Sequence, residues 1–274
     1  MKRRERDESH APATSRPASR RRPNYQNLAT QAEVIDTKPF AQGTFRDVKR
    51  GMYVGGPQNG ELCVVKYFKN GSVYEDRFFN EDILAVNRSK EIITAFNRAA
   101  IINKTIFMNE AQVWHHTHPD VTGGHARALV EPMVDNFTKW NSNTGFVDGS
   151  DAMQALSHFS YHHTEGQELL CDLQGGRYES CYVLTDPVIM SRSGGYGVTD
   201  LGAHGISNFF AHHKCGKFCS PTWRKEQKPQ ACFKAVEGTT MSNDTQHGNP
   251  MGSKGTGAGP SGMPFFKPPV PRWK

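Results

Sequence analysis

The stretch ALSHFSYHHTEGQELLCDLQGG, residues 155–176, joins an apolar segment that contains a histidine to a short apolar run ending in polar side chains. Two leucines enter that run and two glycines leave it, which is typical of a buried strand that continues into a turn. Because side chains alternate along a strand, Asp172 and Gln174 are predicted to share one face and to emerge together at its exit. A carboxylate beside a carboxamide suits a hard cation or a hydroxyl group.

A second carboxylate, Asp186, lies in LTDPVI, residues 184–189. Pro187 favours an extended or turn conformation at the preceding residue, and the carboxylate suits magnesium and phosphate oxygens. The alternative for both Asp172 and Asp186 is that they cap turns, which is the usual role of an isolated aspartate.

A candidate metal site follows in HKCGKFC, which begins at His213. Thiolates and imidazoles are the ligands that zinc selects, and the spacing of Cys215 and Cys219 by one helical turn predicts that both sulfurs point the same way. His158 is the best fourth ligand, because an unpaired imidazole in its apolar segment would be costly. Two alternatives stay open: His212 in place of His213, or ordinary buried cysteines beside a surface histidine.

Two apolar segments of the N-terminal half predict strands. In LCVVKYF, residues 62–68, Lys66 falls on an apolar face and needs an anion such as a nucleotide phosphate, the alternative being that it extends to solvent. In ALVEPM, residues 128–133, an apolar strand is interrupted at Pro132, which leaves backbone groups free to bond a flat ligand edge. The remaining hydrophobic pattern predicts a strand near Tyr53, a long helix between Glu75 and Asn103, and a helix over Asp151 to His163.

Charge and composition divide the 274 residues into a body and two tails. Of the formal net charge of +6, residues 1–30 carry +5 and residues 238–274 carry +3, so the body is about −2. We therefore predict a disordered basic tail over 1–30, one catalytic domain over 31–237 and a flexible Gly/Pro-rich tail over 238–274. A basic patch on the fold itself, as nucleic-acid binding requires, is not expected.

No membrane-spanning stretch or secretory leader is recognised, and nothing in the six cysteines demands a disulfide. The expected location is intracellular and most simply cytoplasmic. Nuclear import through the basic N-terminal tail is the alternative.

Taken in order, these segments resemble the α-kinase family of atypical protein kinases over about residues 40–220. The resemblance also rests on QGTFR around Arg46, on KWNSNTGF from Lys139 and on TDLGAHGISNFFAHHKCGKFC from Thr199. It implies an α+β, two-lobed kinase-like fold with a mainly antiparallel N-lobe sheet, one long helix and a zinc-stabilised C-lobe.

The resemblance also implies roles for individual residues. Asp172 matches the catalytic aspartate that orients or deprotonates the acceptor hydroxyl, and Gln174 and Asp186 match the magnesium ligands. The residues that match the family's nucleotide-binding positions, with Glu131 and Met133 acting through backbone groups at the adenine hinge, are Lys66, Arg46, Glu131, Met133, Lys139 and Asn143. The residues that match its structural zinc ligands are His158, His213, Cys215 and Cys219.

Two features depart from the family pattern or leave it open. In the glycine-rich segment, marked by Gly197, Gly202 and Gly205, Asp200 stands where many relatives have asparagine. Its added negative charge is expected to alter peptide or phosphate contacts. The candidates for the acidic partner of Lys66 are Glu75, Glu81 and Glu91.

The predicted function is an ATP-dependent serine/threonine protein kinase that uses ATP, Mg²⁺ and a structural Zn²⁺. Its expected partners are protein substrates, including helical segments, and its oligomeric state is open. Autophosphorylation is expected at Thr239, Thr240 or Ser242. The alternatives are a pseudokinase scaffold, disfavoured by the catalytic set above, and a zinc hydrolase, disfavoured because four protein ligands close the metal shell.

Overall fold

A computed structural model describes residues 23–43, 46–69, 75–117 and 127–242, with the side chains of 75–78 left out. Residues 1–22 and 243–274, which make up most of the two predicted tails, lie outside the described part. The elements in chain order are β1 (Ala32–Val34), β2 (Ala41–Gln42), β3 (Arg46–Tyr53), β4 (Leu62–Phe68), α1 (Glu75–Arg98), β5 (Thr105–Met108), β6 (Gln112–His115), β7 (Arg127–Pro132), β8 (Thr138–Lys139), α2 (Asp151–His163), β9 (Glu168–Cys171), β10 (Gln174–Arg177), β11 (Cys181–Thr185), β12 (Val188–Ser191) and α3 (Gly202–His212).

The N-terminal lobe is built on a six-stranded sheet in the order β1-β3-β4-β7-β6, with β2 added beside β3. All of its pairings are antiparallel. The alternation in β4 explains its two faces: Cys63, Val65 and Tyr67 are buried in one apolar cluster, whereas Phe68 belongs to a second cluster. Lys66 shares the parity of Phe68, as predicted.

Helix α1 is the long helix expected from the sequence, although it ends at Arg98 rather than near Asn103. The side chain of Asn97 helps to fix that end, because it exchanges two hydrogen bonds with the backbone of Ile106 at the start of β5. The buried face of α1, which includes Ile92 and Phe96, joins the main core of the C-terminal lobe. None of the helices in the described ranges is both long and apolar enough to cross a bilayer.

The C-terminal lobe contains a four-stranded sheet in the order β5-β11-β10-β8 and a separate two-stranded sheet of β12 and β9. Only the β5–β11 pairing among these is parallel. Helix α2 has the predicted bounds and begins at Ser150, whose hydroxyl accepts a hydrogen bond from the Met153 amide. The α+β, two-lobed arrangement with a mainly antiparallel N-lobe sheet agrees with the prediction.

The prediction of one strand through the run LLCDLQGG is wrong. Strand β9 ends at Cys171 and β10 begins at Gln174, in a different sheet. Asp172 lies at the break in the left-handed region, with φ of 57°, which aspartate tolerates better than most residues. After the break, a Cβ atom at Gly175 would come within 2.0 Å of the Val183 carbonyl oxygen, so β10 and β11 approach closely only because that residue is glycine.

Packed segments continue beyond the sequence boundaries assigned to the body. Tyr25 stacks on Phe107, and the buried Asn27 donates a hydrogen bond to the Val130 carbonyl. At the other end, residues 220–242 contain no regular helix or strand but lie against the C-terminal lobe, where Glu226 accepts hydrogen bonds from Tyr161 and Arg192. The domain boundaries at 31 and 237 remain predictions, and residues before the first and after the second pack against the body.

Candidate active site

A cavity of about 430 Å³ lies between the sheet of β4 and β7 and the strands β10 to β12, a size that suits a small-molecule ligand. Most polar residues predicted for catalysis and nucleotide binding line it. They are Arg46, Lys66, Glu131, Lys139, Asp172, Gln174 and Asp186.

Lys66 is buried at the back of this cavity between two carboxylates. Its Nζ lies 2.5 Å from Glu131 Oε1 and 2.6 Å from Asp186 Oδ2. Burial alone would lower the pKa of Lys66, but Asp186 and Glu131 outweigh burial and raise it. The ammonium therefore stays charged. The sequence analysis did not name Glu131 or Asp186 as acidic partners of Lys66, and the side chain of Glu75, one of its three candidates, lies outside the described residues.

Glu131 has a side-chain role that the hinge assignment did not include. It is buried, and its carboxylate accepts a 2.8 Å hydrogen bond from the Thr185 hydroxyl while it pairs with Lys66. Burial raises the pKa of Glu131, against the lowering effect of Lys66. The Met133 amide donates to the Leu62 carbonyl, and Met133 is not part of the cavity lining. The structure thus uses that amide within the sheet.

Arg46 bonds with Asp82 of α1 and lies 3.7 Å from Asp186 Oδ1. Burial raises the pKa of Asp82 to about 6, and Arg46 offsets only part of that increase. Asp82 was missed from the sequence, although one signal was available. It lies three residues after Phe79 and four before Val86, both buried, so a carboxylate stands on the apolar stripe of the helix.

Asp172 is almost completely buried beside the second lysine of the cleft. Lys139 Nζ lies 2.8 Å from its Oδ1, and the Thr239 hydroxyl donates a 2.7 Å hydrogen bond to its Oδ2. Burial raises the pKa of Asp172, while Lys139 acts in the opposite direction. The sheet places these groups together, because Lys139 of β8 pairs with Gln174 of β10.

Asp186 closes the other side of the cavity, directly after β11 and also in the left-handed region with φ of 48°. Burial alone would raise its pKa, but Lys66 and then Arg46 outweigh burial and lower it. Gln174 Nε2 donates to the Asp186 carbonyl oxygen at 3.3 Å. With its amide nitrogen used in this way, Gln174 keeps its amide oxygen as a second oxygen ligand, after the Asp186 carboxylate, for a magnesium ion.

The four predicted metal ligands converge in the C-terminal lobe, with their donor atoms all within 4.8 Å of one another. Cys215 Sγ lies 3.7 Å from His158 Nδ1 and 3.6 Å from His213 Nε2, and Cys219 Sγ lies 3.7 Å from His213 Nε2. Ordinary zinc–sulfur and zinc–nitrogen bonds at tetrahedral angles place sulfur and nitrogen about 3.6 Å apart. The donor set therefore fits a four-coordinate zinc.

Neighbouring groups orient both imidazoles toward this cluster. The outer nitrogen of His158 lies 3.0 Å from the Arg224 carbonyl, and that of His213 lies 3.2 Å from Gln154 Oε1. Each oxygen accepts a hydrogen bond from the N–H of the outer nitrogen, which leaves the lone pair of the inner nitrogen for a metal. Burial lowers the pKa of His158 and of His213 to about 4, so both rings are neutral.

Two details of the predicted metal site are corrected. His212 is not the alternative ligand, because it is outside the cluster and its Nδ1 lies 2.8 Å from the Asn208 carbonyl. The cysteines are not on a helix either, since α3 ends at His212 and the chain forms a loop with a turn from Gly216 to Cys219.

Asp200 does not point into the cleft as a free negative charge. Its buried carboxylate accepts hydrogen bonds from the Ser191 amide and hydroxyl, and from the amides of Tyr196 and Gly202. These contacts use the carboxylate to shape the loop, and Asp200 is not among the residues that line the cavity, so an effect on peptide or phosphate contacts stays a prediction. Gly197 and Gly205 pack tightly, since a Cβ atom would meet Glu81 at the first and Met190 at the second.

Asn143 is buried outside the cavity lining, in contact with the segment that follows the metal cluster. Its amide nitrogen donates to the carbonyls of Thr199 and Thr240. The contacts of residues 236–242 with the site could not be recognised from the sequence, where those residues lie at the start of a Gly/Pro-rich tail.

Comparison with known proteins identifies the family of this chain. The profile of the Alpha-kinase family matches residues 41–219. Alpha-protein kinase 1 of Dictyostelium discoideum is 32% identical over 191 residues, which cover 68% of this chain and 13% of that protein. Myosin heavy chain kinase C of the same organism is 29% identical over 245 residues, covering 85% of this chain and 30% of that protein. The chain thus spans less than a third of the length of either relative.

Solved structures give the same result. The C-terminally truncated alpha-kinase domain of myosin heavy chain kinase has a TM-score of 0.60 and 26% identity, covering 69% of this chain and 87% of that one. The alpha-kinase domain of myosin-II heavy chain kinase A in complex with AMP-PNP has a TM-score of 0.58 and 25% identity, covering 69% and 86%. Since the family profile matches more than half of its residues, this chain belongs to the alpha-kinase family of atypical protein kinases.

Proposed function

We propose that this chain is an ATP-dependent serine/threonine protein kinase, which transfers the γ-phosphoryl group of ATP to a hydroxyl of a protein substrate. The observation that carries the proposal is the buried carboxylate of Asp172, held 2.8 Å from Lys139 in a cavity that also contains Lys66, Arg46 and Asp186. Phosphoryl transfer requires positioning and charge neutralisation more than a covalent nucleophile, and this set provides both.

Each group has a distinct task. Lys66 and Arg46 bind phosphate oxygens, and their present carboxylate partners hold both side chains in position before ATP arrives. Asp172 accepts a hydrogen bond from the acceptor hydroxyl and takes its proton as the oxygen attacks phosphorus. Gln174 and Asp186 would hold Mg²⁺, which neutralises charge on the phosphate oxygens when bound.

Zinc at His158, His213, Cys215 and Cys219 is the structural part of the proposal. It would tie α2 to the loop after α3 and leave no coordination position for water, so it stabilises the lobe without taking part in transfer. Three sulfur–nitrogen distances of 3.6–3.7 Å within this group of four donor atoms support the assignment.

The finer expectations complete the proposal. The chain acts on protein substrates inside the cell, most simply in the cytoplasm, and it phosphorylates itself at Thr239, whose hydroxyl bonds Asp172. The preference for helical substrate segments that the resemblance implies is not carried into the proposal, because Asn143 pairs with both the N–H and the carbonyl of Thr240, and in a helix interior these groups bond within the helix.

Transfer of label from γ-³²P-ATP to myelin basic protein tests the proposal. Asp172→Asn keeps the size of the side chain but removes its basicity, so we expect loss of at least 100-fold in kcat. The matched control is Asp148→Asn, outside the cavity lining, with full activity expected. Equal inactivity of the wild-type and Asp172→Asn proteins, with zinc bound and the fold intact, would establish the pseudokinase scaffold instead.

A further inference from the structure

Residues 236–242, VEGTTMS, lie across the acceptor side of the catalytic aspartate. The Thr239 hydroxyl donates a 2.7 Å hydrogen bond to Asp172 Oδ2 and accepts a 3.4 Å hydrogen bond from Lys139 Nζ. A hydroxyl within hydrogen-bond reach of the general base is the arrangement that an acceptor needs before transfer. Thr239 therefore occupies the position of an acceptor residue.

Backbone groups hold this segment on both sides of Thr239. The Thr240 amide donates to Asn143 Oδ1 at 3.0 Å, and Asn143 Nδ2 donates to the Thr240 carbonyl at 2.7 Å. The amide of Val236 donates to the Thr144 hydroxyl at 3.1 Å, and that hydroxyl lies 3.2 Å from the Val236 carbonyl. The amide of Ser242 donates to the Val198 carbonyl at 2.8 Å. These contacts do not depend on the side chains of the segment.

The contacts of this segment also allow another peptide to take its place. Val236 remains 39% exposed, and the space around Gly238 is open enough that an added Cβ would meet no atom within 4 Å. Little apolar surface anchors these two positions, so hydrogen bonds to the backbone carry the contact, and another extended chain can supply the same groups.

Asn143 imposes a conformation on whatever it binds. It uses both the N–H and the carbonyl of the residue after the acceptor, whereas in a helix interior those two groups bond within the helix. An acceptor in a regular helix therefore cannot satisfy the buried amide of Asn143, and an extended one can.

We propose that residues 236–242 occupy the protein-acceptor groove of this kinase in cis, and that Asn143 selects extended acceptors by pairing with the backbone of the residue after the acceptor threonine or serine. This inference rests on the proposed function, because it specifies which protein substrates the proposed kinase site accepts. Protein substrates must then displace the segment, so it competes with them.

Peptide binding tests the groove without any catalytic step. The probe is a fluorescein-labelled VEGTTMS peptide, and the receptor is the full chain carrying Thr240→Pro. Proline has no N–H, so the tethered segment loses its hydrogen bond to Asn143 Oδ1 and should leave the groove. Anisotropy should show binding at least tenfold tighter than to the wild-type chain, because the local concentration of a tethered competitor is high. Thr240→Val keeps the backbone amide and is the matched control, with peptide affinity as weak as that of the wild type.

A second probe keeps the test valid if Thr240→Pro does not fold. The same peptide, methylated on the nitrogen that corresponds to the Thr240 amide, loses one hydrogen bond and leaves the buried Asn143 oxygen unpaired. Its KM as an acceptor for the wild-type chain should rise about five- to tenfold, with the KM for ATP unchanged.

The outcomes separate this inference from the proposed function. Equal KM values for the two peptides, or no gain in binding by a folded Thr240→Pro chain, overturn the inference even if myelin basic protein is phosphorylated. Discrimination between the peptides in binding, with no phosphoryl transfer to any acceptor, supports the groove and overturns the kinase assignment.

Discussion

The interaction between Lys139 and Asp172 gives the sharpest prediction about catalysis. Lys139 Nζ and Asp172 Oδ1 are 2.8 Å apart, and the two side chains are only 11% and 1% exposed. Removing one partner of a buried ion pair typically costs about 3–5 kcal/mol, because the other charge is left without compensation. The hydrogen bond from Thr239 to the same carboxylate places the expected cost of Lys139→Met near the lower end, at about 3 kcal/mol.

The direction of the pH effect follows from the same contacts. Burial raises the pKa of Asp172 and Lys139 holds it down, so Lys139→Met raises it further. A general base must be ionised, and activity will therefore be lost at the acidic end. If most of the 3 kcal/mol acts on the ionisation of Asp172, its pKa and the acidic limb of the kcat/KM profile move up by about two pH units, since one unit corresponds to 1.36 kcal/mol.

A pH–rate profile from pH 5 to 9 for the wild type, Lys139→Met and Lys139→Arg measures this shift. Lys139→Arg keeps the positive charge and should restore most of the acidic limb. An acidic limb that stays in place in a folded Lys139→Met protein, with only the KM for ATP increased, would show that Lys139 serves the nucleotide and not the base.

The remaining predictions concern stability. Cys215→Ser should remove bound zinc, measured by inductively coupled plasma mass spectrometry, and should unfold the C-terminal lobe in thermal denaturation, since metal-binding energy there is folding energy. The control Cys232→Ser should do neither. A folded, zinc-free and fully active Cys215→Ser protein would refute this prediction. Asp82 has a folded pKa of about 6, raised by burial from an ordinary value of 3.8, so the folded state binds its proton more tightly and its contribution to stability is lost as pH rises from about 4 to about 6. In urea titrations, the free energy of unfolding of the wild type should fall by roughly 2 kcal/mol relative to Asp82→Asn over that range, after a discount for partial exposure, and a difference that does not change with pH would contradict the assignment.

Local sequence patterns predicted the elements whose causes are local. Helix α2 begins and ends where the sequence indicates, and a serine cap precedes a run that is buried from Ala152 to Tyr161. The face of β4 that carries Lys66 follows from simple alternation. The metal ligands were accessible for a chemical reason, since two thiols and two imidazoles have few other uses in combination, and the structure brings all four together.

Several features that the sequence analysis missed depend on pairing between distant residues. Lys66 finds its partners on β7 and after β11, 65 and 120 positions further along the chain, and no periodicity within α1 could identify them. The break between β9 and β10 follows from Asp172 leaving one sheet for another, which a run of apolar residues does not reveal. The contacts of Thr239 with Asp172 join a tail of biased composition to a buried strand end.

The left-handed backbone at Asp172 and Asp186 restricts which substitutions can report on chemistry. Both positions combine a functional carboxylate with a φ near +50°, which costs most residues about 1–3 kcal/mol but costs asparagine and glycine less. An alanine variant at either position removes the carboxylate and also strains the chain where two strands meet. Mutational scans that use alanine will therefore overstate the catalytic weight of these two residues, and asparagine is the substitution that separates loss of the charge from distortion of the loop.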